Sequence, residues 1–252
     1  MSRLTHRDAT RGQQGDDVAI LLADAEALCH VVAGRDLAEA ALYVVPQSSL
    51  PGECGSGDHC YAYTTPSLDL YLRDHIPDWR GRGPCMVVND IGLAEDYELE
   101  DLACLVPAYV LHELAHILDR PALFADRHGV EPNRLKFEAL VVASVGERSQ
   151  RNDIPLYFGH GNSFIRIALH LCHRAQRTDV DVRPTAICAG HRYGLSHASL
   201  YLEALGDEPA RCAGMSFHDI KSFKPPLAFS HLWTVDCIEY HQRFLPQKGS
   251  AL

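Results

Sequence analysis

The segment AYVLHELAHILDRP, residues 108–121, constrains this chain more than any other. Two histidines stand four apart in an otherwise apolar run, with a glutamate directly after the first. Leu105, Tyr109, His112 and His116 recur at the spacing of one helix face, and Leu111, Leu114 and Leu118 supply a second, core-facing stripe. On such a helix the two imidazoles are one turn apart and project together. Both can ligate one ion, and zinc is the usual choice with nitrogen ligands. Glu113, angled toward the open side of that ion, is placed to act as a general base. The blander reading is an apolar helix that happens to hold two histidines and a surface glutamate. Placing three ionisable groups on so apolar a helix is costly unless they are paired or ligated, which favours the metal site.

A catalytic zinc site needs a third protein ligand. Two residues compete for that role, His160 within GHGNSFIRIALHL and Glu138 within KFEALVVAS, 22 residues after His116. His170, Asp119 and Asp126 are weaker candidates. The helix motif resembles that of the zincin metallopeptidases. The metzincin branch places glycine at 119 and histidine at 122, where this chain has Asp119 and Ala122. The thermolysin-like branch places its glutamate on the next helix, as Glu138 would be, but Phe137 and Val142 replace the asparagine and aspartate that accompany it there. The downstream His-Gly-x-x-Phe, His160 to Phe164, is similar to the third-ligand segment of SprT-like and related compact zinc proteases.

That resemblance implies His112, His116 and His160 as zinc ligands and Glu113 as the base. It also implies Gly161 as the turn, Phe164 as the aromatic packing beneath, and a peptide or protein substrate. The interval from His116 to His160 is longer than in SprT-like proteins, and their DNA-bound habit is not carried over. The formal charge is -10, with 33 acidic against 23 basic residues, so no basic face for nucleic acid is expected.

No stretch has the form of a signal peptide or the length of a membrane span, which gives the expectation of a cytoplasmic protein without membrane contact. Nine scattered cysteines with no C-x-x-C agree with reduced thiols. Cys54 and Cys60 bracket GSGDH, a loop that can hold a metal or a disulfide but reads more simply as a flexible loop. The oligomeric state is not legible.

The order of elements is α+β. Residues 1–15 are polar and expected to be disordered, and 16–34 show helical periodicity ending near Gly34. Strands are expected at 40–46, 60–65 and 84–90, forming a small mixed sheet packed on the motif helix, with one edge strand lining the cleft. Helices are expected over 134–147, 163–176 and 194–205. A zincin-like catalytic domain would span 16–178, and a mostly helical extension 179–252. His170 and His173 read as structural, with His170 at most lining the cleft. Arg166 is expected to pair with Glu138 or Asp119, and Tyr193 to anchor a loop or stabilise an oxyanion. The resulting expectation is a zinc-dependent hydrolase acting on peptide bonds. The alternatives are a zinc-stabilised binding module closed by a fourth ligand, and a zinc amidase acting on a non-peptide bond.

Overall fold

The computed structural model describes residues 4–37, 41–51, 61–121, 160–188 and 194–244. Helix α1 (Leu4–Ala33) buries Val18, Leu22, Ala25, Cys29 and Val32 along one stripe. It begins at Leu4, within the segment expected to be disordered. No proline interrupts residues 4–17, and a helix nucleated by its apolar stripe extends at little cost through such residues. Gly34, at φ 57°, ends it in the left-handed conformation that glycine adopts without strain.

Strands β1 (Tyr43–Pro46), β2 (Ala62–Thr64) and β3 (Cys85–Val88) form a three-stranded sheet in the order β1-β3-β2. β1 runs parallel to β3 and β2 antiparallel to it, so the sheet is small and mixed as expected. The register pairs Tyr43 with Cys85 and Thr64 with Met86. The central strand β3 is buried along its whole length, and its alternate side chains serve two clusters. Cys85 and Val87 join Tyr43, Val45, Leu68 and Leu72 on one face, including residues of the short helix α2 (Leu68–Leu72). Met86 and Val88 face the main core. The entry into β3 requires Gly83, because a Cβ there would collide with the Ala41 carbonyl.

Helix α3 (Asp90–Asp96) is capped by Asn89, whose side chain accepts from the Gly92 N–H. Helix α4 (Leu99–Asp119) carries the histidine motif and packs against α1, β2 and α5 (Asn162–Gln176). It contains the buried Pro107, which has no N–H to donate to the carbonyl of Ala103, a residue that is exposed. Contrary to the expectation that no segment is long enough, α4 meets the length and apolarity required for crossing a membrane, but 67% of its apolar window is buried inside the fold, as in a core helix.

Among the described residues five further helices follow: α6 (Pro184–Ile187), α7 (Gly194–Leu205), α8 (Glu208–Arg211), α9 (Phe217–Ser222) and α10 (Leu227–Phe244). A single apolar cluster extends from Val18 to Phe229 and takes in Ile187, Tyr201, Phe217 and Ile220. The boundary expected at 178/179 does not interrupt it. Long-range bonds cross the same junction: Arg174 Nη2 donates to the Met215 carbonyl at 2.6 Å, and the Phe217 N–H to Asp36 at 2.9 Å. The expected helix over 134–147, the Cys54–Cys60 loop, Asp126, Glu138 and Tyr193 lie outside the described residues.

Candidate metal centre

His112 and His116 leave the same face of α4, and His160 stands just before Gly161, the N-cap of α5, so helix packing closes the cluster. One nitrogen of each ring lies within 4.8 Å of the others. The Nε2 atoms of His112 and His160 are 3.1 Å apart. Tetrahedral ligation at the usual zinc–nitrogen length would hold two such atoms roughly 3.3 Å apart. The rings of all three histidines pack on Phe164, with centroids 5.0, 4.4 and 4.7 Å away for His112, His116 and His160. Phe164 is completely buried and forms the floor of the cluster.

The tautomer of His112 follows from its partner. Its Nδ1 lies 2.9 Å from the Ile187 carbonyl, which can only accept. The proton therefore sits on Nδ1, and the Nε2 lone pair faces the other imidazoles. Metal sites use this carbonyl–histidine arrangement to fix ring orientation. Burial, followed by the neighbouring His160, pulls the His112 pKa down to about 3. His116 is held well below its ordinary range by burial and then by the other two rings and Arg120. Three imidazoles sharing one point, two of them kept neutral by burial, are a donor set that fits a metal ion.

Glu113 is buried, and its Oε1 lies 3.9 Å from His112 Nε2. Burial raises its pKa to about 8, and the Thr64 backbone N–H, which donates to the carboxyl, opposes that rise. β2 thus lies beside the site as the outer strand expected to line the cleft. An aromatic cluster starts one turn before His112 on α4. Tyr109, on the histidine face of α4, stacks 5.3 Å from Tyr61, which meets Tyr97 at 5.5 Å and donates to Asp96 at 2.7 Å.

Two expectations about neighbouring residues need correction. Arg166 pairs with Glu208 at 2.7 Å rather than with Asp119, and Asp119 faces Arg120 at 3.8 Å. His170 does not line the cleft; it is fully buried and its Nε2 lies 2.9 Å from the same Glu208 oxygen. The physical reason is the long α5, which turns Arg166 and His170 one turn apart toward α8 and away from the metal face. His173 keeps a buried Nε2 without a hydrogen-bond partner. Sequence reading missed the Ile187 carbonyl, the Thr64 N–H and Lys221. The Lys221 ammonium donates to the Leu118 and Asp119 carbonyls at 2.9 Å each and so caps the C-terminal end of α4. Main-chain partners carry no side-chain signal, but a lysine after a capping serine, Ser216, marks a short helix that has to dock somewhere. Comparisons of the chain with protein families, with curated proteins and with solved structures give no match.

Proposed function

We propose that the chain is a zinc-dependent hydrolase of the zincin type, cleaving peptide bonds with Glu113 as general base. The observation that carries this reading is a buried carboxyl standing beside three convergent imidazoles without being one of the ligand set. A purely structural site would be closed by a fourth protein ligand, and none joins the three histidines among the described residues. A structural site also has no use for a carboxyl in that position.

His112, His116 and His160 would hold the ion. Zinc bound there supplies a Lewis acid that makes water acidic and polarises a carbonyl. Glu113 takes the proton that the attacking water loses and delivers it to the leaving nitrogen. The Thr64 N–H keeps the carboxyl pointed at the cluster, and Ile187 keeps the His112 lone pair there. A peptide substrate is favoured by the sheet: β2 is the outer strand of the order β1-β3-β2, and an extended chain can pair along such an edge. The aromatic cluster of Tyr61, Tyr97 and Tyr109 offers a surface for its side chains.

The test combines metal analysis with turnover of a peptide library by wild type and Glu113→Gln. Glutamine preserves size but accepts no proton, so the variant should keep about one zinc per chain and lose activity by on the order of 10²–10⁴-fold or more. Equal turnover by both proteins would remove Glu113 from the chemistry, and a metal-free wild type would end the zincin reading.

A further inference from the structure

At the end of α5 remote from His160 lies a cleft of about 370 Å³, where the C-terminal ends of α1 and α5 meet the loop joining α8 to α9. Arg35, Arg174 and Arg177 line it, with Val31 and Met215 as apolar surface between them. No Asp or Glu is among its lining residues, although acidic residues outnumber basic ones 33 to 23 in the chain. Three guanidiniums and no carboxylate is thus the reverse of the overall charge balance.

Arg174 forms the buried base. Its Nη atoms donate to the carbonyls of Val32 at 2.8 Å, Cys212 at 3.2 Å and Met215 at 2.6 Å, and its guanidinium carbon lies 4.3 Å from the centre of the Phe217 ring. All of these partners are uncharged, and Nε has none. Burial draws its pKa down from the ordinary arginine value, and the nearby Asp36 carboxylate opposes that shift. Arg35 donates only a long bond, 3.3 Å, to the Gly214 carbonyl. Arg177 is exposed, and its side chain enters no ion pair among the described residues.

Capping of the two helix ends accounts for part of this charge. Two helix C-termini together present roughly one negative charge, and Arg174 alone already serves carbonyls from both sides of the cleft. Asp36 acts electrostatically on Arg174 and Asp219 on Arg35, but both carboxylates are held by other donors, the Phe217 N–H and the Ser216 hydroxyl, and neither lines the cleft. Arg177 has no carboxylate partner among the described residues, and Arg35 has only Asp219 outside the cleft, so the cleft presents a pair of planar forks whose geometry matches an oxyanion.

We infer that this cleft binds a small molecule through its phosphate group, with Arg35 and Arg177 gripping the oxygens above the fixed charge of Arg174. Its volume falls in the range of small-ligand sites, and Val31 and Met215 offer apolar contact to the rest of the ligand. Cleft and metal centre are about 25 Å apart along α5, so either assignment can fail without the other.

The experiment is calorimetric titration and thermal melting of the full chain with glucose 6-phosphate, inorganic phosphate and glucose at equal ionic strength. Glucose 6-phosphate at millimolar concentration should bind and raise the Tm, and glucose should do neither. Arg177→Gln and Arg35→Gln should each weaken binding on the order of tenfold, as loss of a charge-assisted hydrogen bond does. Without ligand, Arg177→Gln should melt with the wild type, because its side chain anchors nothing. Absence of binding to both phosphates would overturn the assignment. So would undiminished binding by the Arg35→Gln/Arg177→Gln double variant, which would place the phosphate elsewhere, the histidine cluster included.

Discussion

Glu113→Gln should make the metal-free protein more stable at neutral pH, in the same variant that loses activity. An ordinary glutamate has a pKa of 4.5, and burial lifts that of Glu113 to about 8. The folded state therefore binds a proton that the unfolded chain has given up over this whole interval. Stability from that proton is fully present below pH 4.5 and is lost progressively as pH rises to 8. The loss accumulates at about 1.4 kcal/mol per pH unit, which gives about 3 kcal/mol at pH 7. Glutamine never ionises, still accepts the Thr64 N–H, and escapes the loss. For a chain of this size the difference corresponds to a Tm raised by roughly 6–12 °C at pH 7. The assay is urea unfolding of chelator-treated wild type and variant at pH 5, 6, 7 and 8. The variant's advantage should be small at pH 5 and grow with each step. The acid-side destabilisation from the depressed histidines is common to both proteins and cancels. Restoring zinc should shrink the gap, because a neighbouring cation favours the carboxylate. A constant offset across the pH series, or a wild type more stable than the variant at pH 8, would refute the picture of a desolvated carboxyl.

Three further outcomes bear on the architecture. His160→Ala should lower metal content measured by plasma mass spectrometry far more than Glu138→Gln, and the reverse order would make the glutamate the third ligand. Phe164→Ala should cost about 3–5 kcal/mol in denaturant unfolding and speed metal release to a chelator, since one completely buried ring supports all three imidazoles. Glu208→Gln should cost about 3–5 kcal/mol, because it strips a carboxylate from buried Arg166 and His170, and adding Arg166→Met should recover part of that loss.

Much of the local structure was legible because it is written in side-chain periodicity. The three strands stop where Pro46, Thr65 and Asn89 break the apolar runs, and α5 and α7 follow helical spacing nearly to the residue. His112 and His116 share a face because of their spacing alone, and His160 joins them because it immediately precedes α5, which packs on α4. What was not legible depends on distance along the chain. Glu208 is 42 residues from Arg166 and looked like one more acidic residue of an extension. Ile187 enters the site through its carbonyl, which every residue possesses. The start of α1 escaped because its first turns have no apolar stripe and are carried by propagation from the stripe that follows.

The bond from His112 to Ile187 has a consequence for synthesis. His160 is the last of the three clustered histidines to be translated, yet the carbonyl that sets the His112 ring is added 27 residues later. At ribosomal rates that interval is roughly 1–5 s, and docking of α6 must follow it. A nascent chain ending before Ile187 would carry every imidazole of the cluster with the tautomer of His112 unassigned. A histidine cluster built this way would take up its fixed donor geometry only after release of the later helices, so its assembly is tied to completion of the fold rather than to synthesis of its own ligands.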